Sequence, residues 1–77
     1  MITAFVLIQA HVGMSSSIGA AVGQIEGVSA SHVVTGPYDV IVEAEATDID
    51  ELGRLVVARI QGVEGVMRTI TCPVIHV

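Results

Sequence analysis

Two four-residue phrases decide the fold of this chain: Ile25-Glu26-Gly27-Val28 and Val63-Glu64-Gly65-Val66. In each phrase, a glycine follows a stretch with helical spacing and precedes a stretch rich in β-branched residues. Glycine commonly ends a helix, so each phrase marks a passage from helix to strand. The repetition predicts two β-α-β halves that share the same joint.

The segments around these phrases give the rest of the element order. Four stretches have strand-like patterns, namely Ile2–Ala10, Val28–Thr35, Tyr38–Ala46 and Val66–Cys72 with an extension toward Val77. Two stretches have the spacing of a helix, Ser15–Ile25 and Thr47–Ile60. Pro73 cannot donate a backbone hydrogen bond, which favours an edge position for the last strand.

Both helices carry start signals and an apolar stripe. Ser15–Ser17 offer hydroxyls to cap the first helix, and Asp48 with Glu51 has the spacing of a capping box. The predicted stripe of the first helix is Ile18, Ala21, Val22 and Ile25. The predicted stripe of the second helix is Ile49, Leu52, Leu55, Val56 and Ile60.

The order β-α-β-β-α-β predicts an α+β fold of the split β-α-β, ferredoxin-like type, with residues 1–77 as a single domain. Right-handed crossovers place both helices on one face of a four-stranded antiparallel sheet in the order 4-1-3-2. No segment of the chain remains to cover the other face, which carries Phe5, Leu7 and Ile41 or their alternates.

This uncovered face explains the composition. Of the 77 residues, 52% are apolar, which is more than one small core can hide. We therefore expect a homodimer that packs sheet against sheet. A charge at whichever of Phe5 or Val6 faces the partner sheet should split it.

Composition also excludes several classes of protein. A net charge of −5 with three arginines and no lysine cannot build a nucleic-acid-binding face. The first apolar run, Ala4–Ile8, is too short to span a membrane, and no Lys or Arg precedes Arg54 to start a signal peptide. The lone Cys72 cannot form an internal disulfide and fits a cytoplasmic location.

Metal and catalytic signals are weak. His11, His32 and His76 are far apart, and Cys72 with His76 is not a zinc signature. Glu43 and Glu45 share one face of a strand and could act as a carboxylate pair, but solvated surface acids are the better explanation. The sequence therefore predicts no metal, no cofactor and no enzyme.

The segment with the most chemistry is Thr35-Gly36-Pro37-Tyr38-Asp39. Its ordinary interpretation is a hairpin turn. It also gathers the only tyrosine, a carboxylate and an open glycine amide in one loop, a combination that suits a small zwitterion. Thr69 and Thr71 project hydroxyls from one face of the last strand, although β-propensity alone would also place them there.

Two phrases carry a family resemblance. The segment from Val28 to Asp39, which ends in Val-Thr-Gly-Pro-Tyr-Asp, and Gly65-Val66-Met67-Arg68-Thr69 resemble the effector-binding domain of the Lrp/AsnC (feast/famine) regulators, also called the RAM module. Those regulators carry a helix-turn-helix domain before this module. Here the first strand starts at residue 2, so the sequence looks like a stand-alone RAM protein that does not bind DNA.

The resemblance implies sheet-to-sheet dimers, octameric rings of four dimers, and amino-acid effectors held in clefts between dimers. By analogy, Gly36, Pro37, Tyr38 and Asp39 line that cleft, and Thr69 and Thr71 match its fourth-strand part. Pro37 removes one backbone donor from the loop, which affects the choice of ligand.

Two alternatives stay open at this point. One is a cofactor-free enzyme of the dimeric α+β barrel type, which would need a deep polar cavity around His11 or His32 between the sheet faces. The other is a ligand-free assembly adaptor for full-length Lrp/AsnC regulators. The ACT domain, another amino-acid-binding ferredoxin-like module, is a neighbour at the level of fold.

Overall fold

A computed structural model describes residues 1–76. The elements follow one another as β1 (Ile2–Ala10), α1 (Ser15–Gly23), β2 (Val28–Val33), β3 (Val40–Ala46), α2 (Ile49–Arg54), a π-helical segment (Leu55–Ile60) and β4 (Val66–Pro73). The four strands form one sheet in the order β2-β3-β1-β4, with antiparallel pairing throughout. The predicted ferredoxin-like topology and the edge position of the proline-containing strand are both confirmed.

The core lies between the helices and one face of the sheet. Alternate residues of the two central strands are buried, and so are the apolar residues of both helices that face them. The fully or almost fully buried side chains are Ala4, Val6, Ile8, Ile18, Val22, Val40, Val42, Ala44, Ala46, Leu52, Leu55, Val56 and Ile60. Val6 therefore faces the helices, and Phe5 faces the open side.

The two glycine joints are built alike. Gly27 and Gly65 have φ of +99° and +96°, a conformation that glycine adopts without strain. The carbonyl of Gly27 accepts from Glu45 N at 2.8 Å, and the carbonyl of Gly65 accepts from His11 N at 2.8 Å. Each joint thus ties a crossover to β3 or to the end of β1, and each has the glycine before a strand that the repeated phrase predicts.

The start of α1 differs from the prediction. The helix is not capped by a serine: its N-cap is Met14, without a side-chain hydrogen bond, and Ser17 Oγ instead donates to the carbonyl of Met14 at 3.0 Å. The helix ends at Gly23, before Ile25. Ala21 is exposed because Gly19 takes the buried place, where an added Cβ would lie 2.8 Å from Val33 Cγ2.

The second helix is capped as predicted but continues differently. Asp48 Oδ1 accepts from Glu51 N at 2.8 Å, and the Glu51 carboxylate reaches back to Thr47, with 3.1 Å to its N and 2.9 Å to its Oγ1. After Arg54 the helix changes to π geometry. Ile49, predicted as buried, is exposed at the rim of a groove beside β4.

The remaining strand boundaries are shorter or shifted. β2 ends at Val33 and β3 begins at Val40, because residues 34–39 form the connecting loop. β4 ends at Pro73, short of the predicted extension, and Val77 lies outside the described residues.

Candidate functional site

The loop between β2 and β3 is anchored at its base and open at its tip. Asp39 N donates to the carbonyl of Ile8 at 2.9 Å, and the carbonyl of Asp39 accepts from Val34 N at 2.9 Å. Gly36, at φ +136°, has no atom within 4 Å of the position of a Cβ. A ligand or a second protein could therefore approach the backbone at Gly36 without steric hindrance.

The carboxylate of Asp39 has a structural task that the sequence pattern does not reveal. Its Oδ2 accepts from Ala10 N at 2.8 Å, next to a shift of register between Gln9 and Ala10 in the pairing of β1 with β4. Gln9 Nε2 also donates to the carbonyl of Pro37 at 3.2 Å. The loop is thus held to the end of β1. The other carboxylate oxygen, Asp39 Oδ1, has no hydrogen-bond partner among residues 1–76.

Thr69 and Thr71 lie on the helix-facing side of β4, because they pair with the core residues Ile8 and Val6 of β1. Both threonines line a groove of about 350 Å³ between β4 and the second helix. Gln61 Nε2 donates to Thr69 Oγ1 at 2.8 Å. The apolar walls of this groove are formed by Ile49, Leu52, Val56 and Val57.

The structure does not bring the two predicted parts of the site together within one chain. Thr69 pairs with Ile8 on one side of β1, and Val40, which follows Asp39, pairs with Ile8 on the other side. Gly36, Pro37, Tyr38 and Asp39 do not line the groove that contains the threonines. A site that uses the loop and the groove together needs a loop from another copy of the chain.

A second groove, of about 460 Å³, was not anticipated from the sequence. It lies between the second helix and the Gly27 joint, and its charged lining residues are Glu26, Glu45, Glu51, Arg54 and Arg59. Its sequence signal is faint, because these charges come from three separate segments. A further groove of about 360 Å³ adjoins it and includes Met1.

The histidines and the cysteine do not gather. His11, His32, His76 and Cys72 are all exposed. No group of three metal-binding side chains exists among the residues that the structure describes. No histidine lines any of the three grooves described above.

The sheet face opposite the helices is open and largely apolar. Phe5 is 40% exposed and Ile70 is 38% exposed. Leu7 and Ile41, which are half-buried, lie beside them on the two central strands. Nothing in residues 1–76 covers this face. Separately, none of the helices in the described residues is both long enough and apolar enough to cross a membrane.

Comparison with known proteins gives a consistent picture. The family model described as "Lrp/AsnC ligand binding domain" matches residues 3–77. The HTH-type transcriptional regulator PF0250 of Pyrococcus furiosus is 31% identical over 72 residues, which are 90% of this chain and 48% of the relative. The chain thus spans about half the length of this relative.

Several solved structures are similar along the whole chain. TTHA0845 from Thermus thermophilus has a TM-score of 0.93 and 36% identity, with 100% of this chain and 96% of that chain covered. FFRP-DM1 has a TM-score of 0.91 and 27% identity, with coverage of 97% and 100%. Two more distant structures share the fold, and both are complexes with L-methionine. They are NMB0573 of Neisseria meningitidis (TM-score 0.84, 19% identity, 97% and 50% covered) and Rv3291c of M. tuberculosis (TM-score 0.82, 23% identity, 100% and 52% covered).

The element order, the sheet topology and the family match over residues 3–77 agree with one another. On this evidence the chain belongs to the Lrp/AsnC family, as a ligand-binding domain related to transcription regulators.

Proposed function

We propose that this chain is an effector-binding and assembly module that binds an amino acid, associates with copies of itself and does not itself contact DNA. The observation that carries the proposal is the groove beside β4, which combines apolar walls with the hydroxyls of Thr69 and Thr71. Binding sites for small molecules have this character: mostly apolar, with a few polar groups that fix orientation.

The groove has a suitable size and chemistry for an amino acid with an apolar side chain. Its volume of about 350 Å³ lies at the lower end of the range for small-molecule pockets, roughly 300–1,000 Å³. Leu52, Val56 and Val57 would receive the side chain, and the two threonines would bind the polar end. The methionine complexes of NMB0573 and Rv3291c support this choice of ligand class.

The loop would complete the site from a neighbouring copy. Gly36 offers an accessible backbone, half-buried Tyr38 offers an aromatic wall, and Asp39 Oδ1 is free to accept from an ammonium group. Pro37 contributes no N–H, so fewer backbone donors are available to a carboxylate. Because loop and groove lie on opposite sides of β1, ligand binding and assembly would be coupled.

Assembly begins with a dimer that buries the open sheet face, and the family resemblance extends it to rings of four dimers. Full-length Lrp/AsnC regulators would be natural additional partners, in the cytoplasm. Direct DNA binding is not part of the proposal, because three arginines and a net charge of −5 leave no basic surface for phosphates.

Isothermal titration calorimetry with the twenty amino acids, L-methionine first, tests the ligand proposal. Asp39→Asn keeps an acceptor for Ala10 N but removes the charge, and Thr69→Val removes one hydroxyl at nearly constant shape. Each should weaken binding by about tenfold, the value of one lost charged or polar hydrogen bond. Asp50→Asn, an exposed acid at the start of α2, is the control and should bind like the unmodified chain.

Absence of binding for all twenty amino acids at millimolar concentration would contradict ligand sensing and favour the adaptor alternative. Binding that is unaffected by both Asp39→Asn and Thr69→Val would place the ligand elsewhere on the molecule.

A further inference from the structure

The open sheet face has a defined centre. Leu7 of β1 pairs with Ile41 of β3 on one side and with Ile70 of β4 on the other. Paired residues of antiparallel strands project to the same side of a sheet, so these three side chains form an apolar row across the open face.

Two opposite charges lie diagonally about this centre. Glu43 of β3 pairs with Phe5, two residues before Leu7, and Arg68 of β4 pairs with Gln9, two residues after it. Leu7 is therefore the midpoint between an acid and a base at opposite corners of the face. The other arginines of the chain, Arg54 and Arg59, belong to the second helix and lie on the covered side.

The two charges cannot pair within one chain. They are separated by two strand spacings and four residues, which is about 16 Å at roughly 4.8 Å per strand and 3.3 Å per residue. Neither the Glu43 carboxylate nor the Arg68 guanidinium makes a side-chain hydrogen bond in the part of the chain that the structure describes. Glu43 is already half-buried.

A second copy on the open face would remove the remaining water from Glu43. A carboxylate that loses its water without a cationic partner is strongly destabilising. Packing of sheet on sheet is therefore favoured by a cation opposite Glu43, and the permanently charged cation on this face is Arg68.

This inference rests on the proposed sheet-to-sheet dimer. We propose that Glu43 of each copy pairs with the partner's Arg68 about a two-fold axis that passes beside Leu7. In a two-fold contact, residue i of one copy meets j of the other and j meets i, so the two charges form two equivalent ion pairs. Facing sheets lie about 10 Å apart, which these long side chains can bridge.

The proposal also fixes the angle between the sheets. A two-fold axis that brings Glu43 of one copy opposite Arg68 of the other makes the strands of the two copies cross at roughly 70°. This angle is near the orthogonal class of sheet packing. An axis along the strands would place Glu43 against the partner's Cys72, and an axis across them would place it beyond the first residue of the partner's β3, next to the loop that ends at Asp39. Both leave the carboxylate without a cation.

Exchange of the two charges tests the pairing. The dissociation constant of the dimer is measured by sedimentation for the unmodified chain, Glu43→Arg, Arg68→Glu and the double variant. Each single reversal places like charges together and should raise the dissociation constant by about tenfold or more. The double variant should return to within about threefold of the unmodified chain, because its pairs are restored in reverse.

Glu64→Arg, an exposed acid before β4, is the matched control and should leave the dissociation constant unchanged. Glu45 and His32 are the other ionisable neighbours of Glu43 on this face. Glu45 carries the same charge and cannot pair with Glu43, and His32→Gln, which tests the histidine, should also have little effect. Circular dichroism verifies that each variant is folded; for a reversal that does not fold, Glu43→Gln replaces it and should reduce the salt dependence of dimerisation.

The ion pair would be overturned if the dissociation constant of the double variant rose by as much as the two single reversals combined. It would also be overturned if His32→Gln alone disrupted the dimer. An unmodified chain that sediments as a monomer would instead contradict the underlying dimer. The failure of the pairing and the failure of the proposed assembly are thus distinguishable.

Discussion

The two faces of the sheet are made by alternate residues of the same strands, yet they differ sharply in burial. On β1, Ala4, Val6 and Ile8 have no exposed surface, whereas Phe5 between them is 40% exposed. The centre of the open face is nevertheless apolar, with Leu7, Ile41 and Ile70 in one row and Phe5 beside them. A strand with one solvated face normally alternates apolar and polar residues. The open face therefore has the composition of an interface. The difference in exposed fraction between the two faces shows how much apolar surface the single chain leaves uncovered.

The largest effect is expected when a charged residue is placed on each face of the sheet in turn. Val6→Asp buries an isolated carboxylate in the core, which costs several kcal/mol, comparable with the roughly 5–15 kcal/mol total stability of a small domain. We expect no cooperative thermal unfolding transition for this variant. Phe5→Asp should keep its secondary structure by circular dichroism but sediment as a monomer. A folded Val6→Asp, or a dimeric Phe5→Asp, would mean that the two faces are wrongly assigned.

A smaller contrast comes from truncation of neighbouring residues. Ile8→Ala leaves a cavity beneath the helices and should lower the free energy of unfolding by about 2–5 kcal/mol, as measured by urea denaturation. Its dimer dissociation constant should change little. Leu7→Ala removes the centre of the open face and should act mainly on the dissociation constant. The reverse pattern would indicate that Leu7, not Ile8, belongs to the core of the single chain.

The smallest expected effect is at the cap of α2. Asp48→Ala removes the acceptor for Glu51 N and should cost about 1 kcal/mol, a decrease of roughly 4–8 °C in Tm for a domain of this size. Asp48→Ser keeps a capping oxygen and should recover most of the loss. Neither variant should alter the dissociation constant of the sheet-to-sheet dimer, since the cap lies on the helix side. A change in that constant would show that α2 also takes part in the dimer contact.

The topology was predictable from the sequence because its signals are local. The period of the strands, the two glycine joints and Pro73 each act over a few residues, and together they leave one β-α-β-β-α-β arrangement. The errors arise where packing overrides local pattern. Ala21 loses its buried place to Gly19, which lets α1 approach Val33 closely.

The second helix shows a different source of error. The sequence predicts one α-helix from Thr47 to Ile60, but residues 55–60 are π-helical, with Gln61 N donating to the carbonyl of Val56 at 2.8 Å. The predicted stripe residues of this segment, Leu55, Val56 and Ile60, are nevertheless buried. The sequence contains no local signal for this change of helix type.

The candidate site was predictable in composition but not in arrangement. The pattern showed that Thr69 and Thr71 share a face, but only the pairing of β4 with β1 shows that this face lies under the helix. Likewise, the bond from Ala10 N to Asp39 Oδ2 joins residues 29 positions apart, beyond any local pattern. The loop and the groove remain a predicted site that awaits a ligand measurement.

The central claim is that a second copy covers the open face of the sheet, and the mass of the unmodified chain in solution tests it most directly. Sedimentation equilibrium at micromolar concentration should give at least about twice the chain mass of 8.0 kDa, or a larger even multiple if dimers form rings. A single species of 8.0 kDa under the same conditions would contradict the account.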